Sequence, residues 1–230
     1  MTAKGVLFDF SGTLLRVEPA LRSLRAALAE TGTGMSPEES AALAGRLEAA
    51  GALPGGASPH SVPEELRRVW EERDRDADAH RAAFTGLARQ IPLPHPDLYD
   101  ALYERSMSPD AWQPYPDTAE VLSALRQREV PVAVVSNIGW DLRPVFREHG
   151  LAPYVGHYVL SYEHRVHKPD PRLFLAACAA LGLAPQNVLM VGDERADAGA
   201  AQIGCAVHLV HHLPPEERPE GLLPVLALAG

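Results

Sequence analysis

A chain of 230 residues is long enough for one generous domain, or for one domain carrying a smaller inserted unit. With 46% hydrophobic and 22% charged residues it falls within ordinary globular usage, which excludes disordered, collagen-like and coiled-coil chains. A formal charge of −9 excludes broad nucleic-acid binding, which needs a positive surface, while leaving room for a locally positive pocket that takes a small anion.

No apolar run approaches the ~20 residues of a membrane helix, and Met1-Thr2-Ala3-Lys4-Gly5 lacks the organisation of a signal peptide. A cytoplasmic protein without membrane contact is predicted, its oligomeric state left open. Cys178 and Cys205 lie in apolar settings without metal-type spacing and read as buried free thiols. Of 21 basic residues only Lys4 and Lys168 are lysines, so a lysine in a chemically special place is informative here.

In chain order, Gly5-Val6-Leu7-Phe8 is a short apolar run that predicts a buried strand delivering Asp9 into the turn-forming Ser11-Gly12. From Leu14 to about Trp112 the composition turns helical. Ala20–Glu30, Pro37–Ala50 and Pro63–Gln90 read as helices separated by breakers at Gly51–Gly56 and Pro92–Pro94, with no strand-like run among them. Asp117 with Glu120 reads as a capping pair opening a helix through Arg128. Val130–Val135 reads as a strand ending at Ser136-Asn137, and Leu142–His149 as a helix stopped by Gly150. Tyr158–Ser161 is a short strand, Pro171–Leu181 a helix stopped by Gly182, and Asn187–Val191 and Ala206–Val210 are the last strands. Pro214 to Pro219 reads as a surface loop. Such alternation predicts an α/β fold, a doubly wound parallel sheet with helices on both faces. Residues 1–14 and 113–230 would form this Rossmann-like core and residues 15–112 a helical insert. Ligands of open parallel sheets bind beyond the carboxyl ends of the strands. Asp9, Ser136-Asn137 and Asp193 all fall there, on three different strands.

Phe8-Asp9-Phe10-Ser11-Gly12-Thr13-Leu14, Ser136-Asn137, Lys168-Pro169 and Gly192-Asp193 with Asp197 together resemble, in order, the four motifs of the haloacid dehalogenase superfamily. The resemblance covers residues 3–14 and 113–212. It implies a hydrolase in which Asp9 attacks phosphorus to form an aspartyl-phosphate that water then cleaves. It implies a magnesium ion held by Asp9, the backbone carbonyl of Ser11 and Asp193. Ser136 and Asn137, with Gly12 and Thr13, are implied to hold the phosphoryl oxygens of a small-molecule substrate, and Lys168 to stabilise the developing charge. Asp197 reads as a support behind these groups, Glu194 as solvent-facing. His157, His164, His167, His208, His211 and His212 read as surface residues, because no zinc-type ligand set unites them.

The pattern breaks at Ser11. Most phosphatases of this family carry there an aspartate that protonates the leaving group and activates water, work worth ~10²–10⁴ in rate. Serine can do neither near neutral pH. Residues 14–112 contain no lysine, which removes the Schiff-base chemistry of phosphonate-cleaving relatives. Dehalogenation, served by an insert arginine such as Arg16 or Arg22, is the second reading. A weakly catalytic binding module is the third, opposed by the intact Asp9, Lys168 and Asp193. The insert resembles the family's mobile helical cap, with hinges near Leu14–Val17 and Gln113–Pro116.

Overall fold

The computed structural model describes residues 2–230. Its elements run β1 (Gly5–Phe8), β2 (Leu15–Val17), α1 (Ala20–Glu30), α2 (Pro37–Ala49), α3 (Arg67–Glu72), α4 (Ala77–Ala88), α5 (Leu98–Met107) and β3 (Trp112–Pro114). They continue with α6 (Thr118–Gln127), β4 (Val132–Ser136), α7 (Arg143–Glu148), β5 (His157–Leu160), α8 (Ser161–His164) and α9 (Pro171–Ala180). β6 (Val188–Gly192), β7 (Ala206–Leu209) and α10 (Val225–Leu228) complete the chain.

The core is a five-stranded, all-parallel sheet in the order β5-β4-β1-β6-β7, as the alternation predicted. The strand period of two divides its side chains between two cores. Val6 and Phe8 join Val132, Val134, Leu189 and Val191 on one face, with Leu122, Leu125 and Phe146 from α6 and α7. Leu7, Ala133, Val135 and Met190 face the other side, against Leu173, Phe174 and Ala177 of α9. β1, buried at every position, is central and neighbours both β4 and β6, so the carboxyl ends of all three lie side by side. Cys178 and Cys205 are buried free thiols, as read.

Between β2 and β3 lies the helical insert, which has a core of its own built on Leu24, Leu28, Leu43, Leu47, Leu87, Leu98 and Leu102. α2 begins where the sequence is most explicit. Ser36 accepts the Glu39 N–H, Glu39 returns the bond, and Pro37 occupies the first turn.

Three local expectations need correction. The stretch 14–112 is not free of strands, since β2 and β3 pair antiparallel, Arg16 opposite Gln113, and form a two-stranded neck between core and insert. Runs of three residues carry too little pattern to read. Pro63–Gln90 is not one helix. It breaks at Arg73–Asp76, where Arg73 donates back to the Trp70 carbonyl (2.7 Å) and Asp76 caps α4 by accepting from Asp78 and Ala79. Asp117 does not cap α6; its carboxylate accepts instead from the Leu222 and Leu223 amides, fastening the C-terminal segment to the core. No helix among the described residues is long and apolar enough to cross a membrane.

Candidate active site

β1 ends at Asp9, whose N–H continues the ladder to the Val191 carbonyl at 2.9 Å. The strand therefore delivers the carboxylate to the sheet's edge while most of the residue stays buried, 6% exposed. Lys168 Nζ lies 2.6 Å from Asp9 Oδ1 and 2.6 Å from Asp197 Oδ1. The second Asp197 oxygen accepts the Glu194 N–H at 3.0 Å, so both its oxygens are engaged. Thr13 Oγ1 sits 3.4 Å from Asp9 Oδ2 and 3.3 Å from Asp193 Oδ1. Asp193 Oδ2 accepts from His212 Nδ1 at 2.5 Å.

Two glycines let these groups meet. Gly12 has φ of +80°, and a Cβ there would lie 2.1 Å from Asp193 Oδ2. A Cβ on Gly192 would lie 2.2 Å from the Asp197 carboxylate. Any side chain at either position would displace an acid.

Oxygens of Asp9, Asp193 and Asp197 come within 4.8 Å of one another. Three carboxylates against one ammonium leave excess negative charge in a dry place. Burial, opposed by the Lys168 ammonium and aided by the charges of Asp197 and Asp193, pushes the Asp9 carboxyl up to about 8. Lys168 also pays for burial, but Asp9 and Asp197 raise it overall and keep it charged. Asp9 Oδ2 and Asp193 Oδ1 share only the single proton of Thr13. This hard-oxygen set fits a divalent cation such as magnesium, with Asp9 and Asp193 as its carboxylate donors.

Above this floor lies a cavity of about 190 Å³. Ser11, Ser136, Asn137 and Glu194 border it from the core; Trp70, Arg73, Asp74, His80 and Phe84 border it from the insert.

A family model described as haloacid dehalogenase-like hydrolase matches residues 3–203, nearly the whole of this architecture. The chain belongs to that family. Among relatives of this chain, the haloacid dehalogenase-like hydrolase domain-containing protein 3 of Danio rerio is 31% identical over 48% of this chain, and the match spans only 49% of that protein. A phosphoglycolate phosphatase of Yersinia pseudotuberculosis is 28% identical over 88% of this chain and 78% of its own length. The L-2-haloacid dehalogenase structure from Xanthobacter autotrophicus superposes with a TM-score of 0.64 at 22% identity, over 96% of this chain and 83% of that one, and bears on the fold alone.

Motif reading placed Asp9, Ser11, Ser136, Asn137, Lys168, Asp193 and Asp197 together, and the fold brings all of them to the carboxyl end of the sheet. Gly12 and Thr13 lie beneath the cavity rather than along it. Asn137 is half-buried and clamps the Lys168 backbone from both ends, its Nδ2 donating to the Lys168 carbonyl (3.0 Å) and its Oδ1 accepting the Lys168 N–H (2.6 Å). Glu194 is exposed as expected but borders the cavity, and burial together with Asp193 raises its carboxyl.

Several site residues escaped sequence reasoning. His212 is not an idle surface histidine, because it holds Asp193; His167 accepts from Arg75 Nε at 2.8 Å, linking core to insert. The proline-rich tail is not merely a surface loop. Its Arg218 is buried, donates to the Gly12 carbonyl at 2.6 Å and to Thr13, and lies over the Tyr115 ring. All three tryptophans of the chain, Trp70, Trp112 and Trp140, border the cavity, a concentration that could have been noticed only by asking where scarce residues meet.

Proposed function

We propose that the protein is a magnesium-dependent phosphatase acting on a small phosphorylated metabolite in the cytoplasm through a covalent intermediate on Asp9. The observation that carries this reading is the buried Asp9 carboxylate, held 2.6 Å from the Lys168 ammonium inside a cluster of three acids, at the floor of a cavity sized for a small molecule. The phosphoglycolate phosphatase among its relatives supports it.

Asp9 supplies the nucleophile. Its oxygen bonds to phosphorus as the bond from phosphorus to the leaving-group oxygen breaks, and water then attacks the aspartyl-phosphate and releases phosphate. Lys168 steadies Asp9 and offsets charge on the phosphoryl oxygens; Ser136, with Asn137 fixing the loop, receives those oxygens. Magnesium held by Asp9, Asp193 and the Ser11 carbonyl would neutralise the phosphoryl dianion and favour ionised Asp9. The insert, residues 15–112, acts as a cap over residues 1–14 and 113–230, with β2 and β3 as its neck; it excludes water and selects the substrate.

Ser11 gives the leaving oxygen no proton, so turnover favours groups that leave as stable anions, aryl and acyl phosphates over alkyl phosphates. The same serine favours one second reading, a 2-haloacid dehalogenase, because halide leaves unprotonated. Assays of 4-nitrophenyl phosphate and 2-chloropropionate, with and without magnesium, separate the two. Magnesium-dependent ester hydrolysis that Asp9→Asn abolishes is expected. Wild-type rates in Asp9→Asn would sink the covalent mechanism, and metal-independent dehalogenation would establish the second reading.

A further inference from the structure

The turn that follows Asp9 is held from behind by the C-terminal segment. Between Phe10 and Leu15 the chain coils tightly. The Leu14 and Leu15 amides both donate to the Phe10 carbonyl at 3.0 Å, and the Gly12 amide donates to the Leu15 carbonyl at 2.8 Å. A peptide is planar and trans, so the Ser11 carbonyl points opposite to the Gly12 N–H, away from Leu15. Gly12 and Thr13 are buried, and their carbonyls find no backbone donor among the described residues. Buried carbonyls need a partner from elsewhere.

Arg218 supplies both bonds. Its Nη1 donates to the Gly12 carbonyl at 2.6 Å and to the His211 carbonyl at 3.1 Å, and its Nη2 donates to the Thr13 carbonyl. The guanidinium lies over the Tyr115 ring, 3.2 Å from its centroid. Asp117 and Asp193 attract its charge and Arg16 repels it, but every hydrogen bond it makes among the described residues goes to a carbonyl.

Burying a guanidinium is costly, and the tail does not need it for fastening. Asp117 already accepts from the Leu222 and Leu223 amides, Tyr115 Oη donates to the Leu213 carbonyl at 2.8 Å, and Leu222 and Val225 are buried in the core. What Arg218 adds is a grip on the turn. That turn carries the Ser11 carbonyl, and Thr13 Oγ1 lies 3.4 Å from Asp9 and 3.3 Å from Asp193. The same segment sets His212 against Asp193.

We propose that Arg218 is a positioning residue for the magnesium site. By fixing the Gly12 and Thr13 carbonyls it holds the Ser11 carbonyl and the Thr13 hydroxyl in register with Asp9 and Asp193, and thereby sets the affinity for the cation. The proposal rests on the magnesium-dependent reading of the site.

Magnesium alone, titrated calorimetrically into the full-length protein, tests this. Arg218→Ala should bind it about tenfold or more weakly than wild type, the usual scale for a lost group that orients metal ligands. Arg218→Lys, which keeps the charge without the two-armed grip, should lie between them. Ethylguanidinium, which replaces the missing part of the side chain, should restore affinity in Arg218→Ala and change nothing in wild type. Asp117→Ala loosens the tail without touching the turn, so it should lower Tm and leave magnesium affinity unchanged. Wild-type affinity in Arg218→Ala or, should that variant not fold, in Arg218→Lys would overturn the proposal. So would an equal loss of affinity in Asp117→Ala, which would make Arg218 one more fastening of the tail, or no magnesium binding by wild type.

Hydrolysis of 4-nitrophenyl phosphate gives a second readout. Arg218→Ala should raise the magnesium concentration needed for half-maximal rate about tenfold while kcat at saturating magnesium changes little. A fall in kcat with unaltered magnesium demand would overturn the proposal. If the ester is not hydrolysed by wild type, the phosphatase reading fails while the magnesium titration still decides the role of Arg218.

Discussion

The floor and the walls of the reaction cavity are built on opposite plans. On the floor, Asp9, Thr13, Lys168, Asp193, Asp197 and His212 hold one another in place, with both oxygens of Asp197 and of Asp193 engaged. On the walls contributed by the insert, aromatic and charged groups are packed for shape. Trp70 meets Phe84 edge-on at 5.5 Å, Arg73 lies over the Trp70 ring at 4.0 Å, and His80 stacks near Phe84 and bonds Tyr103 at 2.8 Å. A network in which each charge positions the next is sensitive to substitution, whereas a wall of packed rings can change and still close. On the proposed reading, reaction chemistry belongs to the core strands and substrate choice to the insert.

The sharpest way to break this contrast is Lys168→Met. It leaves Asp9 and Asp197 facing each other without their shared cation, and removing one partner of a buried pair typically costs about 3–5 kcal/mol. We expect a large fall in Tm, and loss of turnover even where the variant remains folded; a melting curve like that of wild type would mean that the floor is not a mutually supporting network. Next in size is the metal. A saturating magnesium concentration near 100 times Kd should stabilise the wild type by about 2.7 kcal/mol. Asp193→Ala should lose that shift in a thermal melt, and equal stabilisation of both proteins would place the cation elsewhere.

Ser11→Asp sharpens the comparison from the floor side. A general acid is worth ~10²–10⁴ in rate, and a newly installed one should recover about tenfold on alkyl phosphates while moving aryl phosphates little. The ratio of the two rates is the quantity to measure; an unchanged ratio would mean that another group already supplies the proton, or that phosphate esters are not the substrate.

The smallest effect belongs to the insert. Burial, reinforced by Arg73, holds His80 neutral and depresses it from 6.5 to about 3. The unfolded chain binds a proton below pH 6.5 that the folded chain refuses until about 3, so stability is fully present above 6.5 and falls as pH drops through this window. Between pH 6.5 and 5.5 the loss from this one group is about 1 kcal/mol. Denaturant melts of His80→Phe should show a correspondingly flatter pH dependence, and an equal slope would mean that His80 is not the group responsible.

Gly5–Phe8, Val132–Ser136 and Val188–Gly192 could be read from sequence because each is a compact apolar run that ends at, or just before, a polar residue (Asp9, Ser136, Asp193), and because neighbours in the chain suffice to define a strand. The resemblance of Asp9, Ser136, Lys168 and Asp193 to known motifs then fixed their order and pointed to one strand edge. The same local reasoning misread Asp117, whose true partners are amides more than a hundred residues away, and passed over Arg218, which reaches the Gly12 carbonyl across a separation of 206 residues. A capping pattern and an actual cap look identical until a distant segment competes for the carboxylate.

The sequence by itself thus determined the alternating sheet, the position of Asp9, the proposed nucleophile, at the end of its central strand and the absence of an acid at Ser11, since all of these depend on residue type and short-range order. Only the tertiary structure decided that Asn137 would clamp Lys168, that His212 would hold Asp193, that three scattered tryptophans would share one cavity and that Arg16 would find no partner among the described residues. Those outcomes are set by which surfaces meet when the insert packs on the core, and no stretch of chain contains both sides of such a contact.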